Sequence, residues 1–504
     1  MLRKVGAVGN SGVENSNESM KRTLRSTGLI GGATVISLLV GLGRMKVIAL
    51  LTGPAGVGLF GLLNVLWSTG SALAGLNLGV SGVRQISEHD TNTEARSLAE
   101  SAVWYFALVA AVVGGVGLWG FERFYTDGAG ASPTVPWIAL AVAVAVINAA
   151  QLVFLQVYGR IGDIARIRIY GSVLGAIAGV IAVAATGTPG LYMAVLAMPL
   201  ASLLVTVPYF RRVPRMPWRR FDKAVLGEWR ALLMLGIGVS VAAWIGNFGQ
   251  LWVRWIITER GNLQAAGFFQ AAYTLTNVNL SIVLAAMSVE YFPKLSSSAD
   301  SSSDLTDILN EQYKLALILS APILVSAIAM APWIMPLLYS RDFSTAVPLF
   351  QWQVAADSLK ILSWALGYIL IVTRSVLGFI AAEVAFDVFL VGMPWIFFAT
   401  LGLNSIAVGY AAGLISSVTL SVILSMRRGV RLSWENWAVT LVVCASAVGI
   451  CLVSLQSHIA GLVVGILVAT VLGIRGLKAI GATDAVIGER LRRIIGKFKG
   501  AVRL

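Results

Sequence analysis

The sequence predicts an all-α polytopic membrane protein of about fourteen transmembrane helices, forming two six-helix lobes around a central cavity plus two C-terminal helices. Three observations carry that class. Of the 504 residues, 57% are hydrophobic and only 12% charged, roughly half the charged share of an ordinary soluble chain. Apolar windows long enough to cross a bilayer recur from residue 26 to residue 475. Two segments also echo each other at an offset of 209 residues, six spans apart.

Residues 1–25 are polar and rich in Ser, Asn and Gly, without the short apolar core and small-residue cleavage site of a signal peptide. They are expected as a disordered cytoplasmic tail. Fourteen spans follow at roughly 26–50, 58–86, 97–119, 136–158, 167–186, 190–210, 228–257, 264–292, 312–339, 346–373, 378–399, 403–426, 436–455 and 457–475. The expected organisation is an N-terminal lobe at 26–210, a basic cytoplasmic linker at 211–227 and a C-terminal lobe at 228–426. Two additional helices at 436–475 and a basic amphipathic cytoplasmic tail at 476–504 complete the chain.

The basic residues test this count. With the N-terminus inside, the cytoplasmic segments hold 31 of the 38 Lys and Arg, and the outer loops hold three, Arg123, Arg260 and Arg341. The remaining four, Arg44, Lys46, Arg254 and Lys360, lie within the membrane. That asymmetry is what orientation by positive charge requires, and removing one span would put 211-RRVPRMPWRR-220 outside. The net charge of +14 thus follows from topology and from proximity to anionic inner-leaflet lipid, with no nucleic acid as partner. In the tail, 486-VIGERLRRIIGKFKGAV-502 gathers apolar residues on one face and Arg or Lys on the other, as an interfacial helix does.

The repeat pairs 56-GVGLFGLLNVLWSTGSAL-73 with 265-AAGFFQAAYTLTNVNLSI-282, matching Gly58-Leu59-Phe60 to Gly267-Phe268-Phe269. An even number of intervening spans gives both halves one orientation, a parallel repeat.

Charges inside the membrane are costly and point to function or to pairing. Arg44 and Lys46 stand at i, i+2 in span 1, and Arg254 lies in the outer half of span 7. Asp357 and Lys360 are spaced i, i+3 in span 10, and Glu383 and Asp387 i, i+4 in span 11, so each pair shares a helix face. One reading makes them structural ion pairs or cations snorkelling near helix ends. The other is a hydrated cavity of cationic bias, in which Arg44, Lys46, Arg254 and Lys360 bind a phosphate or pyrophosphate. Asp357, Glu383 and Asp387 then serve as counter-ions or coupling groups. The amides Asn64, Asn77, Gln151, Asn247, Gln250, Gln270, Asn277, Asn279, Gln351 and Gln353 suit such a lining or ordinary interhelical bonding. There is no Walker motif, no nucleophile constellation and no Cys/His cluster. Cys444 and Cys451 fall seven apart in one apolar segment, and the only histidines are His89 and His458. No cofactor, no metal and no catalytic residue is expected: a transporter, not an enzyme.

The turn 50-LLTGPAGVGLFG-61, the segment 288-SVEYFPKLS-296 and above all 348-PLFQWQVAADSLKILSWALGYILIVTRS-375 with 382-AEV-384 resemble the Wzx polysaccharide flippases. The likeness is to those of the O-antigen and enterobacterial common antigen pathways, and it runs from about residue 28 to 426. It implies the multidrug/oligosaccharidyl-lipid/polysaccharide exporter fold, two six-helix bundles in alternating access. It implies a substrate as well, an oligosaccharide on undecaprenyl pyrophosphate turned to the outer leaflet of a bacterial inner membrane. Membrane lipid and the polymerase and chain-length regulator of the pathway are the implied partners, and both termini face the cytoplasm. Lys46, Arg254, Asp357, Lys360 and Glu383 fall where those flippases carry like residues; Asp387 has no such match. Spans 13 and 14 depart from the twelve-helix pattern, and the fourteen-helix peptidoglycan-precursor flippases use their extra pair as a lipid-tail groove. Two alternatives stay open from sequence: a cation-coupled multidrug antiporter of the same fold, and a non-transporting scaffold of a polysaccharide assembly complex.

Overall fold

A computed structural model describes residues 29–89, 92–120, 135–214 and 216–476, apart from residues 239, 242, 279, 281–283 and 285–290. The expected N-terminal tail and the basic 486–502 helix lie outside the described residues.

The described chain is helical almost throughout, as a lipid-embedded backbone must be to satisfy its own hydrogen bonds. The helices are α1 (Gly6–Gly75), α2 (Leu78–Ser87), α3 (Thr93–Tyr125), α4 (Val135–Val157), α5 (Ile161–Thr186), α6 (Gly190–Phe210) and α7 (Lys223–Arg260). They continue with α8 (Leu263–Ser297), α9 (Ser302–Leu338), α10 (Val347–Val372), α11 (Val376–Leu401), α12 (Asn404–Arg427), α13 (Trp434–Gln456) and α14 (His458–Thr483). Among the described residues, 11 stretches are long and apolar enough to span a bilayer. The bent pair Lys223–Gly238 and Ala243–Arg260, at 55° to each other, makes a further one. Large side chains such as Leu377 and Met234 stay 82% and 80% exposed because lipid, not water, is their solvent.

One expectation about local structure holds and one needs correction. At Gly53, where the turn is expected, the run labelled α1 is two helices joined at a break: Gly53 takes φ 64, ψ −169 and Pro54 supplies no amide. Those angles are open to glycine almost alone. The second span is not continuous either. Leu76 and Asn77 both adopt the left-handed conformation (φ 43 and φ 48) and break it between α1 and α2.

The chain divides into two compact units. The first comprises Met1–Thr52 and Leu59–Leu251. Within it, α5 and α6 pack closely because Gly171, Gly175 and Gly179 form a stripe at i, i+4, i+8. A Cβ at Gly175 would sit 2.9 Å from the Met198 backbone.

The basic linker is docked on α3 of the same unit. The Arg219 amide donates to Ser101 Oγ at 3.0 Å, its Nε to Ser97 Oγ at 3.1 Å and its Nη2 to Glu94 at 3.2 Å. The Met216 amide donates to Glu100, and the Trp218 indole to the Tyr105 hydroxyl.

The second unit comprises Gly53–Gly58 and Trp252–Leu504. In it, α10 packs against α8, α9, α12 and α13. The added helices are integral to this packing. Gln351 Nε2 on α10 donates to Ser454 Oγ on α13 at 2.8 Å, Cys444 lies 3.1 Å from Ser358, and the buried Cys451 thiol contacts the Gln351 carbonyl. Tyr313 on α9 meets Thr440 on α13 at 2.6 Å. Both thiols thus face protein. Where the 53–58 corner meets the start of α8, a Cβ at Gly267 would overlap the Pro54 carbonyl and one at Gly58 the Leu263 carbonyl. These glycines are the two matched by the repeat.

Candidate functional site

The charged face of α10 is assembled from four helices of the second unit. Asp357 is fully buried, and the Tyr410 hydroxyl on α12 donates to its Oδ1 at 2.7 Å. Its Oδ2 has no hydrogen-bond partner among the described residues. Lys360, one turn on, is half-buried and points its Nζ at Asn277 Oδ1 on α8, 3.4 Å away. That ammonium also lies 5.7 Å from the centre of the Tyr410 ring.

Asp357 and Lys360, for which a structural ion pair is one of the two readings from sequence, bond to separate partners. The carboxylate is held by a phenol from α12 and the ammonium by an amide from α8, while Tyr410 touches both. Charge still acts between them through space, and Lys360 also lies within electrostatic range of Glu383 on α11. Glu383 and Asp387 interact with each other, and Asp387 Oδ2 finds no hydrogen-bond partner among the described residues. Neither acid forms a direct bond to Lys360.

Arg254, on α7, is 2% exposed. Its Nε and Nη2 donate to Gln270 Oε1 at 3.2 and 2.9 Å, and its guanidinium lies 5.0 Å from the Phe269 ring and 4.7 Å from the Tyr273 ring. Gln270 in turn donates to Thr274 at 3.0 Å. An amide and two ring faces help to orient the guanidinium and lower the cost of burying it.

In the first unit, Arg44 lies 5.0 Å from the Phe60 ring, and its Nε and Nη1 are buried without a hydrogen-bond partner among the described residues. Lys46 is half-buried on the same helix. Of the expected amides, Gln270 and Asn277 join the cations and Gln351 braces α13. Asn64 and Asn247 bond the carbonyl four residues back in their own helices. No group of three His, Cys, Asp or Glu able to hold a metal ion occurs among the described residues.

Tyr410 is the site residue that sequence reasoning missed. A tyrosine in 404-NSIAVGYAAG-413 has no contrast with its apolar neighbours. Its role depends on α12 lying beside α10, which the pattern does not encode. Tyr410→Phe removes one bond to a buried carboxylate while keeping the ring. It is expected to lower transport about three- to tenfold with little loss of protein, measured as initial rates in vesicles.

Comparison with known proteins follows the same lines. The family model described as polysaccharide biosynthesis protein matches residues 47–348. The lipid III flippase of Escherichia coli (strain K12) is 24% identical over 432 residues, covering 81% of this chain and 97% of that protein. Among solved structures, the lipid II flippase MurJ in an inward closed conformation superposes with a TM-score of 0.69 at 13% identity. The match covers 90% of this chain and 99% of that one. An inward-facing multidrug resistance transporter of the MATE family matches with a TM-score of 0.59 at 14% identity, covering 78% of this chain and 94% of its own.

Proposed function

The chain belongs to the polysaccharide biosynthesis protein family, and on that premise we propose that it translocates a lipid-linked oligosaccharide across a bacterial inner membrane. It is a multi-pass transporter with no chemical step of its own. The relative named a lipid III flippase, matched over nearly its whole length, supports this reading, as does likeness of fold to a lipid II flippase.

The observation that carries the substrate class is the setting of Lys360. Its direct contacts, an amide oxygen at 3.4 Å and an aromatic ring, orient the ammonium, while no carboxylate among the described residues bonds to it directly. Such a charge at membrane depth suits an anionic headgroup, the pyrophosphate of an undecaprenyl carrier. Arg254, Arg44 and Lys46 extend this cationic set. Asp357, Glu383 and Asp387 are its counter-ions or the acceptors of a coupling proton or cation. A cationic drug would meet the wrong sign.

Fourteen spans with both termini cytoplasmic is the topology we adopt. The run Leu29–Ser87 is 59 residues long, where one crossing of a ~30 Å hydrocarbon core needs about 20, so it has length to spare for two. The cytoplasmic excess of Lys and Arg favours this orientation. Motion is by alternating access, and a polymerase with its chain-length regulator takes the product outside.

Complementation tests the reading. In a strain lacking its own flippase, this chain is expected to restore surface glycan and to move lipid-linked intermediates to the outer leaflet. Inner-leaflet accumulation that persists despite normal amounts of the protein refutes it.

A further inference from the structure

The first unit contains a candidate site of its own. The break at Leu76–Asn77 and the bent part of α7 border one cavity of about 280 Å³. Its wall includes Ser71 and Asn77, alanines of α4, and Ser240 and Trp244 of α7. Ser240 is 1% exposed, yet its hydroxyl finds no hydrogen-bond partner among the described residues, and Ser71 Oγ is in the same state. An unmatched buried hydroxyl costs about 1–3 kcal/mol unless something on the cavity side bonds to it. Asn77 is held left-handed at the head of α2, and its side chain makes no capping bond. The Trp244 indole donates to the Ala72 carbonyl at 3.0 Å, which fixes the ring against this wall.

The chemistry of the wall selects its ligand. No charged residue lines the cavity, so nothing there matches a pyrophosphate. The volume is about nine times the ~30 Å³ share of a water molecule, too roomy to strip and hold a bare cation. Hydroxyls and an amide beside alanine and a fixed indole suit a molecule with polar edges and apolar faces. A pyranose ring is such a molecule: its hydroxyls bond at the rim and its C–H face lies on the aromatic ring.

We propose that this cavity is a subsite for one neutral sugar ring of the carried oligosaccharide. The inference rests on the transport reading given above, and its test does not depend on transport. In the full chain with Cys444→Ser and Cys451→Ala, Ser240→Cys provides a single thiol for a small methanethiosulfonate reagent. A polyprenyl pyrophosphate bearing one neutral hexose, at ten times its Kd, is expected to slow labelling about tenfold. Bare polyprenyl pyrophosphate is expected to leave the rate unchanged. Gly79 lines the same cavity, and a Cβ there meets no atom within 4 Å. Adding Gly79→Leu should therefore fill the space without disturbing the backbone and remove the protection. Equal protection by both carriers, protection by neither, or a thiol that never reacts would each overturn the subsite. If the hexose carrier protects but the wild-type chain moves no carrier across vesicles, the subsite stands and the transport reading falls.

Discussion

Lys360→Ala is expected to reduce translocation of lipid-linked oligosaccharide about 10- to 100-fold, with the protein still inserted at its normal level. The estimate follows from losing one charge-assisted contact to an anionic group, about 1.5–3 kcal/mol. Lys360→Arg keeps the charge and should retain most of the rate. A double-mutant cycle with Asp357→Asn separates two roles for the ammonium. If Lys360 acts on the headgroup, the double variant stays as slow as Lys360→Ala. Recovery in the double variant would show that Lys360 only balances the carboxylate, and the anion site would have to be sought at Arg254. The geometry favours the first outcome, because Asp357 is already held by Tyr410 at 2.7 Å.

The second large effect falls on the amount of folded protein. Gly267→Val places a branched side chain where even a Cβ would overlap the Pro54 carbonyl. Because the obstacle is backbone, it cannot be relieved by turning a side chain. The expected cost is about 3 kcal/mol or more, enough to remove most of the monodisperse protein in fluorescence-detected size exclusion. Gly53→Ala acts differently, through its φ of 64 rather than through crowding, and should cost about 1–3 kcal/mol. It is expected to lower Tm while leaving folded protein to measure. Normal accumulation of Gly267→Val would mean that the 53–58 corner and α8 do not meet as described.

These results show why some features were legible in the sequence and others were not. A bilayer imposes length, apolarity and charge asymmetry on every span, so those properties appear directly in composition. The placement of Asp357 and Lys360 on one face followed from helical spacing alone. Their partners did not, because Tyr410 and Asn277 lie more than fifty residues away and depend on which helices become neighbours. Leu76 and Asn77 gave no warning either, since neither is glycine and both sit inside an apolar run. Gly53-Pro54 carried a strong turn signal, and the backbone breaks there, at Gly53. The stripe at Gly171, Gly175 and Gly179 could have been read as a close-packing signal between α5 and α6.

The docked linker has a consequence for synthesis. Every contact named for Met216, Trp218 and Arg219 is to a residue between Glu94 and Tyr105, more than a hundred positions earlier in the chain. By the time the ribosome has passed residue 221, all partners of that strap are already made. The start of α3 can thus be clasped before the second half of the protein enters the membrane, which gives assembly an order running from N-terminus to C-terminus.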